Sequence, residues 1–241
     1  MKRWGEADDP RRRLLIQALA AGFFSGSGGL ALAQALGSTP SKLPPGRSVY
    51  RVSGQVQVNG AAATLDTRIG PNSTIQTAKD GEIVYAVGES AFVLRSNSHV
   101  VVEAPPSDSV IVTGIRLITG KLLSVFPSRR PVQLTTRTAS IGIRGTGVYL
   151  EADPEQTYFC TCYGVSDVAA TNDPQSRETV AAKHHDRPLY IVSGEQAGKN
   201  IRSAPFINHT DQELMLIETL VGREAPFVFP KTDYTGPRRT Y

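Results

Sequence analysis

The chain of 241 residues contains two cysteines, Cys160 and Cys162, which are separated by a single threonine. In an extended strand alternate side chains share a face, so we expect both thiols on the same side as Tyr158. Two residues of strand place the Cα atoms about 6.6–6.8 Å apart, near the upper limit for a disulfide bond. A disulfide or a shared metal ion therefore requires a local bend, and the nearby Gly164 permits one.

Three of the four histidines lie in the same C-terminal third of the chain as both cysteines. Two thiolates with one or two imidazoles suit a tetrahedral site for zinc or copper, although the spacing matches no standard zinc-binding module. The candidate metal ligands are Cys160, Cys162, His184, His185 and His209.

The residues leave three interpretations of the cysteine pair open: a strained or redox-active disulfide, two free thiols packed as small buried side chains, or a metal site. If His184 and His185 lie in a strand they point to opposite faces, so at most one can face Cys160. We expect the other to be solvated or hydrogen-bonded to Asp186. His209 directly precedes a predicted helix, and we interpret it as a loop residue rather than a ligand.

The sequence carries no recognisable catalytic signature. It has no Gly-x-Ser-x-Gly elbow and no Walker or dinucleotide-binding glycine pattern, and sequence proximity defines no Cys–His pair. The net charge is +4, the basic residues are scattered and 7% of residues are aromatic, which does not describe a nucleic-acid surface. We expect a non-enzymatic protein that does not bind nucleic acid.

Residues 1–35 have the pattern of a secretory signal. A basic region at Arg11–Arg13 precedes an apolar stretch rich in small residues, and Ala31-Leu32-Ala33 offers a cleavage site. Paired arginines followed by Leu14 and Leu15 resemble the twin-arginine export motif. An uncleaved membrane anchor is the alternative, because about twenty residues can span a bilayer. The sequence predicts a periplasmic or secreted protein with no transmembrane span after cleavage.

The rest of the chain has the pattern of a mainly β protein. Residues 36–49 are rich in proline and read as an extended lead-in. From residue 50 to 150, short alternating apolar runs bounded by Gly, Pro or Asn-Gly predict about ten strands, in a sandwich or a coiled stack. Asn59-Gly60 is the strongest hairpin signal. The strand pattern continues through 151–225, without a clean boundary.

One helix is predicted near the C-terminus. Thr210 and Glu213 form a capping box, an apolar stripe at helical spacing follows, and Gly222 is a plausible stop. The helix is expected to cover one face or end of the strands. Residues 226–241, rich in proline and arginine, are expected to form a loose tail.

Three glycines cluster around one arginine at the end of the β region. Gly142, Gly145 and Gly147 allow backbone angles or close approaches that a side chain forbids. We predict a tight turn in which Arg144 occupies an apolar corner and donates to free carbonyls.

This segment resembles the signature of the FecR domain family, T-P-x-A-x-x-G-I-R-G-T. The matching core is Gly142-Ile143-Arg144-Gly145-Thr146, and Ile69-Gly70 and Asp80-Gly81 fall upstream in the family's order. The resemblance covers roughly residues 50 to 150. Arg137 stands where the family usually has proline.

The resemblance implies a stacked, β-helix-like domain in the cell envelope. FecR regulators also carry a cytoplasmic anti-sigma segment, and residues 1–10 are too short to provide it, so direct control of a sigma factor is not expected. We expect an exported binding or signalling module whose partner is another envelope protein or a small ligand. The alternative is a metal-binding or thiol-redox protein that uses the cysteines and histidines.

Overall fold

The structure is a computed structural model that describes residues 40–104, 111–194 and 196–226. The predicted signal segment, the start of the lead-in and residues 227–241 of the predicted tail lie outside the described residues. Within them the chain forms fourteen strands and one helix. The strands are β1 (Val49–Ser53), β2 (Val56–Val58), β3 (Ala61–Ala62), β4 (Thr74–Thr77), β5 (Glu82–Val87), β6 (Ser90–Leu94), β7 (His99–Glu103), β8 (Gly114–Val125), β9 (Val132–Thr135), β10 (Ala139–Ala152), β11 (Gln156–Ala170), β12 (Asp173–Ala182), β13 (Leu189–Val192) and β14 (Ile201–Ser203), and the helix is α1 (Asp211–Leu220).

All strands belong to one sheet, and the prediction of a mainly β fold with one C-terminal helix is confirmed. The main path runs β14-β13-β11-β10-β9-β8-β7-β4-β2-β3, and β1, β5, β6 and β12 pair off it. Every described pair is antiparallel except β8 with β9. Asn59 and Gly60 have φ of 53° and 81°, the left-handed angles that a two-residue turn between β2 and β3 requires. The strand β10 crosses residue 150, so the sheet is continuous there.

Two apolar clusters form because several strands bury both of their faces. Along β5, Ile83 and Tyr85 enter the larger cluster, whereas Val84 enters the smaller one. Side chains that alternate between two buried faces give a nearly continuous apolar run, as in Ile83–Val87. The smaller cluster contains the cysteines and lies beneath α1.

The helix α1 begins with the predicted capping box. The Thr210 side chain accepts from the Glu213 backbone N–H, and the Glu213 carboxylate accepts from the Thr210 backbone N–H. Leu214, Ile217 and Leu220 are at most 1% exposed, and each such burial stabilises the docked helix by about 1.5–3 kcal/mol. In the described part of the chain no helix has the length and apolar character needed to cross a bilayer.

The glycine-rich segment is not the predicted turn. It lies inside β10, where the pairing with β11 shifts register between Arg144 and Val148. Gly145 has φ of 60°, and a Cβ on Gly147 would stand 2.4 Å from the Tyr163 ring. Arg144 is exposed rather than enclosed by backbone, because strand alternation turns it outward between the buried Ile143 and Thr146.

Candidate metal centre

The two cysteines project from one face of β11, as the alternation predicts. Tyr158, Cys160 and Cys162 all belong to the smaller apolar cluster, and both cysteines are free and fully buried. Val148 pairs with Thr161 whereas the adjacent Gly147 pairs with Tyr163. Cys162 is therefore the extra residue of a β-bulge, which re-aims a side chain and bends its strand.

The local bend that a disulfide or a shared metal ion would need is thus present, at Cys162. Gly164, with φ of 92°, lies two residues further on and relaxes the strand as expected. Of the three interpretations of the pair, the disulfide is not formed: the structure shows two free thiols, buried in the smaller apolar cluster beside two histidine rings.

His184 and His185 do not alternate along a strand. They lie in a bend after β12, where the Asp186 carboxylate accepts from the backbone N–H groups of Lys183 and His184. His185 has φ of 52°, and its backbone N–H donates to the Cys162 carbonyl at 2.9 Å. This backbone bond fixes the bend against the bulged strand.

Only His185 of the two faces the thiols, as expected. Its Nδ1 lies 3.5 Å from Cys160 Sγ. The His184 side chain is 44% exposed, one of the two expected alternatives, and it bonds the Asp211 carboxylate at 2.8 Å. Its hydrogen bond to Asp186 is made by its backbone N–H.

His209 lies in the loop before α1, as predicted, but its side chain faces the thiols. It is 0% exposed, and its Nε2 lies 3.4 Å from Cys162 Sγ. The ring stacks on Tyr149 with centroids 4.5 Å apart and packs edge-on against Phe206 at 4.6 Å. His209 is in a loop, but the capping of α1 and this aromatic packing turn it into the cluster.

Four ligand atoms converge in this buried cluster: the sulfurs of Cys160 and Cys162 and one ring nitrogen each of His185 and His209. All lie within 4.8 Å of one another. The nitrogen-to-nitrogen distance is 3.2 Å, and the sulfur-to-nitrogen distances are 3.5 Å for Cys160 with His185 and 3.4 Å for Cys162 with His209. A tetrahedral zinc ion with its usual bond lengths has edges of about 3.3 Å between nitrogens and about 3.6 Å between sulfur and nitrogen. Three of the six edges of this ligand set are therefore within about 0.2 Å of those of a tetrahedral Cys₂His₂ site.

Each imidazole is oriented by a partner on its far nitrogen. His185 Nε2 donates to Asp211 Oδ1 at 2.9 Å, and His209 Nδ1 donates to the Ile207 carbonyl at 2.7 Å. Neither acceptor can donate, so the protons lie on these outer nitrogens and the inner nitrogens present lone pairs when the rings are neutral. A carboxylate or carbonyl behind the histidine is the usual second layer of a metal site.

The pKa values indicate a charged pair in the cluster without a metal. Burial alone raises the pKa of the Cys160 thiol, but hydrogen bonds from Cys162, His185 and His209 outweigh it and hold that pKa well below its usual range. Burial lowers the pKa of His185, yet the bonds to Asp211 and to the Cys160 thiolate raise it to about 9. Burial and the adjacent Cys160 thiolate raise the pKa of Cys162. These directions favour a Cys160 thiolate beside a protonated His185.

Cys160, His185 and Asp211 also stand in the order of a nucleophile, base and orienting acid. Cys160 is 0% exposed, however, and His185 is 8% exposed, so a substrate has no approach to the sulfur in this conformation. The arrangement fits an enclosed ligand set better than a nucleophile.

Sequence reasoning missed two supporting features of the centre. Asp211, the first residue of α1, was not identified from the sequence as a partner of the histidines, although it lies two residues after His209. The other feature is a buried ion pair between Arg95 and Glu213, 2.9 Å apart. Arg95 also donates to the Asn208 carbonyl at 2.9 Å and so anchors the loop that carries His209.

Comparisons with known proteins add little to this geometry. No model of a known protein family matches the chain, and no curated protein matches it either. Two crystal structures of a "putative anti-sigma factor" from Parabacteroides distasonis ATCC 8503 align with a TM-score of 0.42 and 14% identity, covering 54% of this chain. The aligned region spans 58% of that protein. At this level the likeness carries no argument about fold or function, and the similarity to the FecR signature remains a resemblance.

Proposed function

We propose that this protein binds one zinc ion through Cys160, Cys162, His185 and His209. The observation that carries the proposal is that these four ligand atoms lie within 4.8 Å of one another, with three of their separations close to the edges of a tetrahedral Cys₂His₂ site. Four protein ligands leave no open position for a substrate or water, which is typical of a structural rather than a catalytic zinc site. Copper(I) also favours thiolates, and metal analysis separates the two ions.

The ion links three segments that lie apart in sequence: the bulged β11, the bend after β12 and the loop before α1. Cys160 and His185 are 25 residues apart, and Cys162 and His209 are 47 residues apart. Binding energy for a structural ion is also folding energy. The proposed role of the metal is to hold the loop and α1 against the sheet.

The test is metal analysis of the purified full chain, followed by cobalt substitution of the metal-free protein. We expect one zinc per chain, and a cobalt form with the intense sulfur-to-cobalt absorption of a tetrahedral thiolate site. Cys162→Ser and His209→Gln should weaken cobalt binding by at least tenfold. His99→Gln is the matched control, because the His99 ring is hydrogen-bonded to Gln76 on β4 and does not belong to the ligand set.

Two outcomes would contradict this proposal. One is metal-free protein with two titratable thiols that fails to bind zinc or cobalt. The other is cobalt binding that survives Cys162→Ser unchanged, since the absorption would then come from other ligands.

We further propose that the metal-binding scaffold is an exported, non-enzymatic binding or signalling module of the cell envelope. The support is in the sequence: the twin-arginine-like segment at residues 1–35 and the FecR-like segment ending at Thr146. Twin-arginine export carries folded proteins, so the ion could be inserted before export. Fractionation of cells expressing the tagged chain should place it outside the cytoplasm, and Arg11→Lys with Arg12→Lys should retain it inside. Retention of the unmodified chain in the cytoplasm would contradict the proposal.

A further inference from the structure

We propose that His184, Asp211 and Nε2 of His185 form an outer, open metal site through which the ion reaches the buried centre. This inference rests on the zinc binding proposed above and adds a route and a second ligand set to it.

The burial of the ligands limits where an ion can pass. Cys160, Cys162 and His209 are each 0% exposed, and His185 alone of the four reaches the surface, at 8%. Tyr149 and Phe206 pack on His209 and close that side, and Phe206 also covers part of the His185 ring, which leaves the edge of His185 that faces Asp211 and His184. The opening therefore lies beside His185.

Three ligand atoms are grouped at this opening. Asp211 bridges the two histidines, with one oxygen 2.8 Å from His184 Nε2 and the other 2.9 Å from His185 Nε2. The three side chains present ligand atoms within 4.8 Å of one another. An ion there displaces the two protons that now occupy the hydrogen bonds, and it is held by two imidazoles and a carboxylate.

This outer set has the features of a transient site. Three protein ligands leave a position for water, which makes the coordination open. One of the three is a hard carboxylate oxygen in place of two thiolates, so it favours zinc less than the inner set does. The His184 side chain is 44% exposed and can meet an ion in solution first.

His185 belongs to both sets. Its Nε2 points to Asp211 and its Nδ1 points to Cys160 and His209. An ion that moves from Nε2 to Nδ1 of this ring passes from three weaker ligands to four stronger ones, on the side of the ring away from Phe206, which packs on the His185 ring at 4.3 Å. As it moves, the ring loses the proton on Nδ1 and regains one on Nε2, where Asp211 again accepts it. The ring of His184 contacts that of His185 edge-on at 4.8 Å, so the exposed ligand is next to the shared one.

His184 and Asp211 could instead act only by orienting His185, and the two roles predict different effects of removing His184. If His184 and Asp211 only orient His185, removing His184 weakens equilibrium binding. If His184 is part of the route, its removal slows uptake and release by the same factor and leaves the dissociation constant unchanged, because the route is common to both directions.

The experiment uses the metal-free full chain, with cobalt as the probe and His184→Ala as the variant. Uptake is followed by stopped-flow absorption of the cobalt–thiolate band, and release is followed after addition of a chelator. We expect both rate constants to fall by the same factor, with the final absorption and the dissociation constant unchanged. His99→Ala is the control and should match the unmodified chain in both rates.

Each remaining outcome decides something. If neither the unmodified chain nor the variant binds cobalt, the proposed zinc function itself fails. If cobalt binds but His184→Ala leaves both rates unchanged, the route fails and the inner site stands. If uptake is unchanged and release quickens, His184 only supports His185, and the outer site is again refuted.

Discussion

His185 contacts three different partners at the candidate centre, through its backbone N–H and through each of its two ring nitrogens. Its backbone N–H binds the Cys162 carbonyl, its Nδ1 faces the cluster, and its Nε2 binds Asp211. The adjacent His184 has the same side chain but points outward. His185 has a left-handed backbone angle, φ of 52°, so the two neighbouring side chains leave the bend in different directions. One side chain can therefore serve the buried ligand set while its neighbour remains at the surface.

At the residue scale we predict that zinc affinity rises steeply with pH. His185 has a pKa raised to about 9, and that of Cys162 is raised as well, so both carry protons at pH 7 that zinc must displace. As pH falls below these values protons compete better and affinity falls. Release of about two protons changes the dissociation constant by about a hundredfold per pH unit, since each proton contributes 1.36 kcal/mol per unit. Chelator competition at pH 6.5 and 7.5 measures this.

The Asp211→Asn variant provides the matched comparison. Loss of the carboxylate removes a cause of the raised His185 pKa. The slope of log Kd against pH should therefore fall by about one proton, and the zinc affinity at pH 7.5 should also fall. If log Kd for zinc did not change with pH in the unmodified chain, His185 and Cys162 could not be protonated before zinc binds.

At the scale of elements, the bulge between β10 and β11 sets the position of the second cysteine. Gly147 lies opposite Tyr163, and the Tyr163 ring occupies the space where a Cβ would be. Tyr163 in turn donates to Glu218 of α1. The glycine-rich segment thus affects the centre through strand geometry, since it allows strand and helix to approach closely.

We therefore predict that Gly147→Ala destabilises the fold whereas Gly142→Ala does not. A Cβ at Gly147 would meet the Tyr163 ring at 2.4 Å and Leu214 Cδ2 at 3.1 Å, and such overpacking costs about 1–3 kcal/mol. At Gly142 the nearest atoms are 3.9 Å and 4.0 Å away, so the variant should be neutral or more stable by up to about 1 kcal/mol. Urea unfolding of both variants measures the difference, and equal effects would contradict the close approach.

At the scale of the whole molecule, the centre joins parts of the chain that the sheet alone does not connect. β11 carries the thiols, and the two histidines come from a bend and a loop on either side of β13 and β14. The Arg95–Glu213 ion pair and the apolar face of α1 hold the same region. The proposed ion and this packing would therefore stabilise the same arrangement.

Removal of the metal should lower the unfolding temperature without abolishing the fold. An ion at a thousand times its dissociation constant stabilises the native state by about 4 kcal/mol, which for a chain of this size corresponds to a shift on the order of 10 °C. Calorimetry with and without a chelator measures the shift. Cys162→Ser serves as the control, since its unfolding temperature should not respond to the chelator, and the proposal loses its support if the unmodified chain does not respond either.

Local patterns in the sequence determined the element types and several of their details. The alternation along β11 placed both thiols on one face, Asn59-Gly60 marked a hairpin, and Thr210 with Glu213 marked the start of α1. The same reasoning required a bend near Cys162. These features depend on residues within a few positions of one another, so a single sequence contains them.

Long-range packing decided which residues meet. His209 enters the cluster because Arg95, more than a hundred residues earlier, anchors its loop and because Tyr149 stacks on its ring. Arg144 turns outward because its segment is a strand, in which it alternates with the buried Ile143, and that strand depends on pairing with β11. Residue spacing along the chain does not encode such contacts, because the free energy that selects them comes from burial and hydrogen bonds between segments that meet only in the folded molecule.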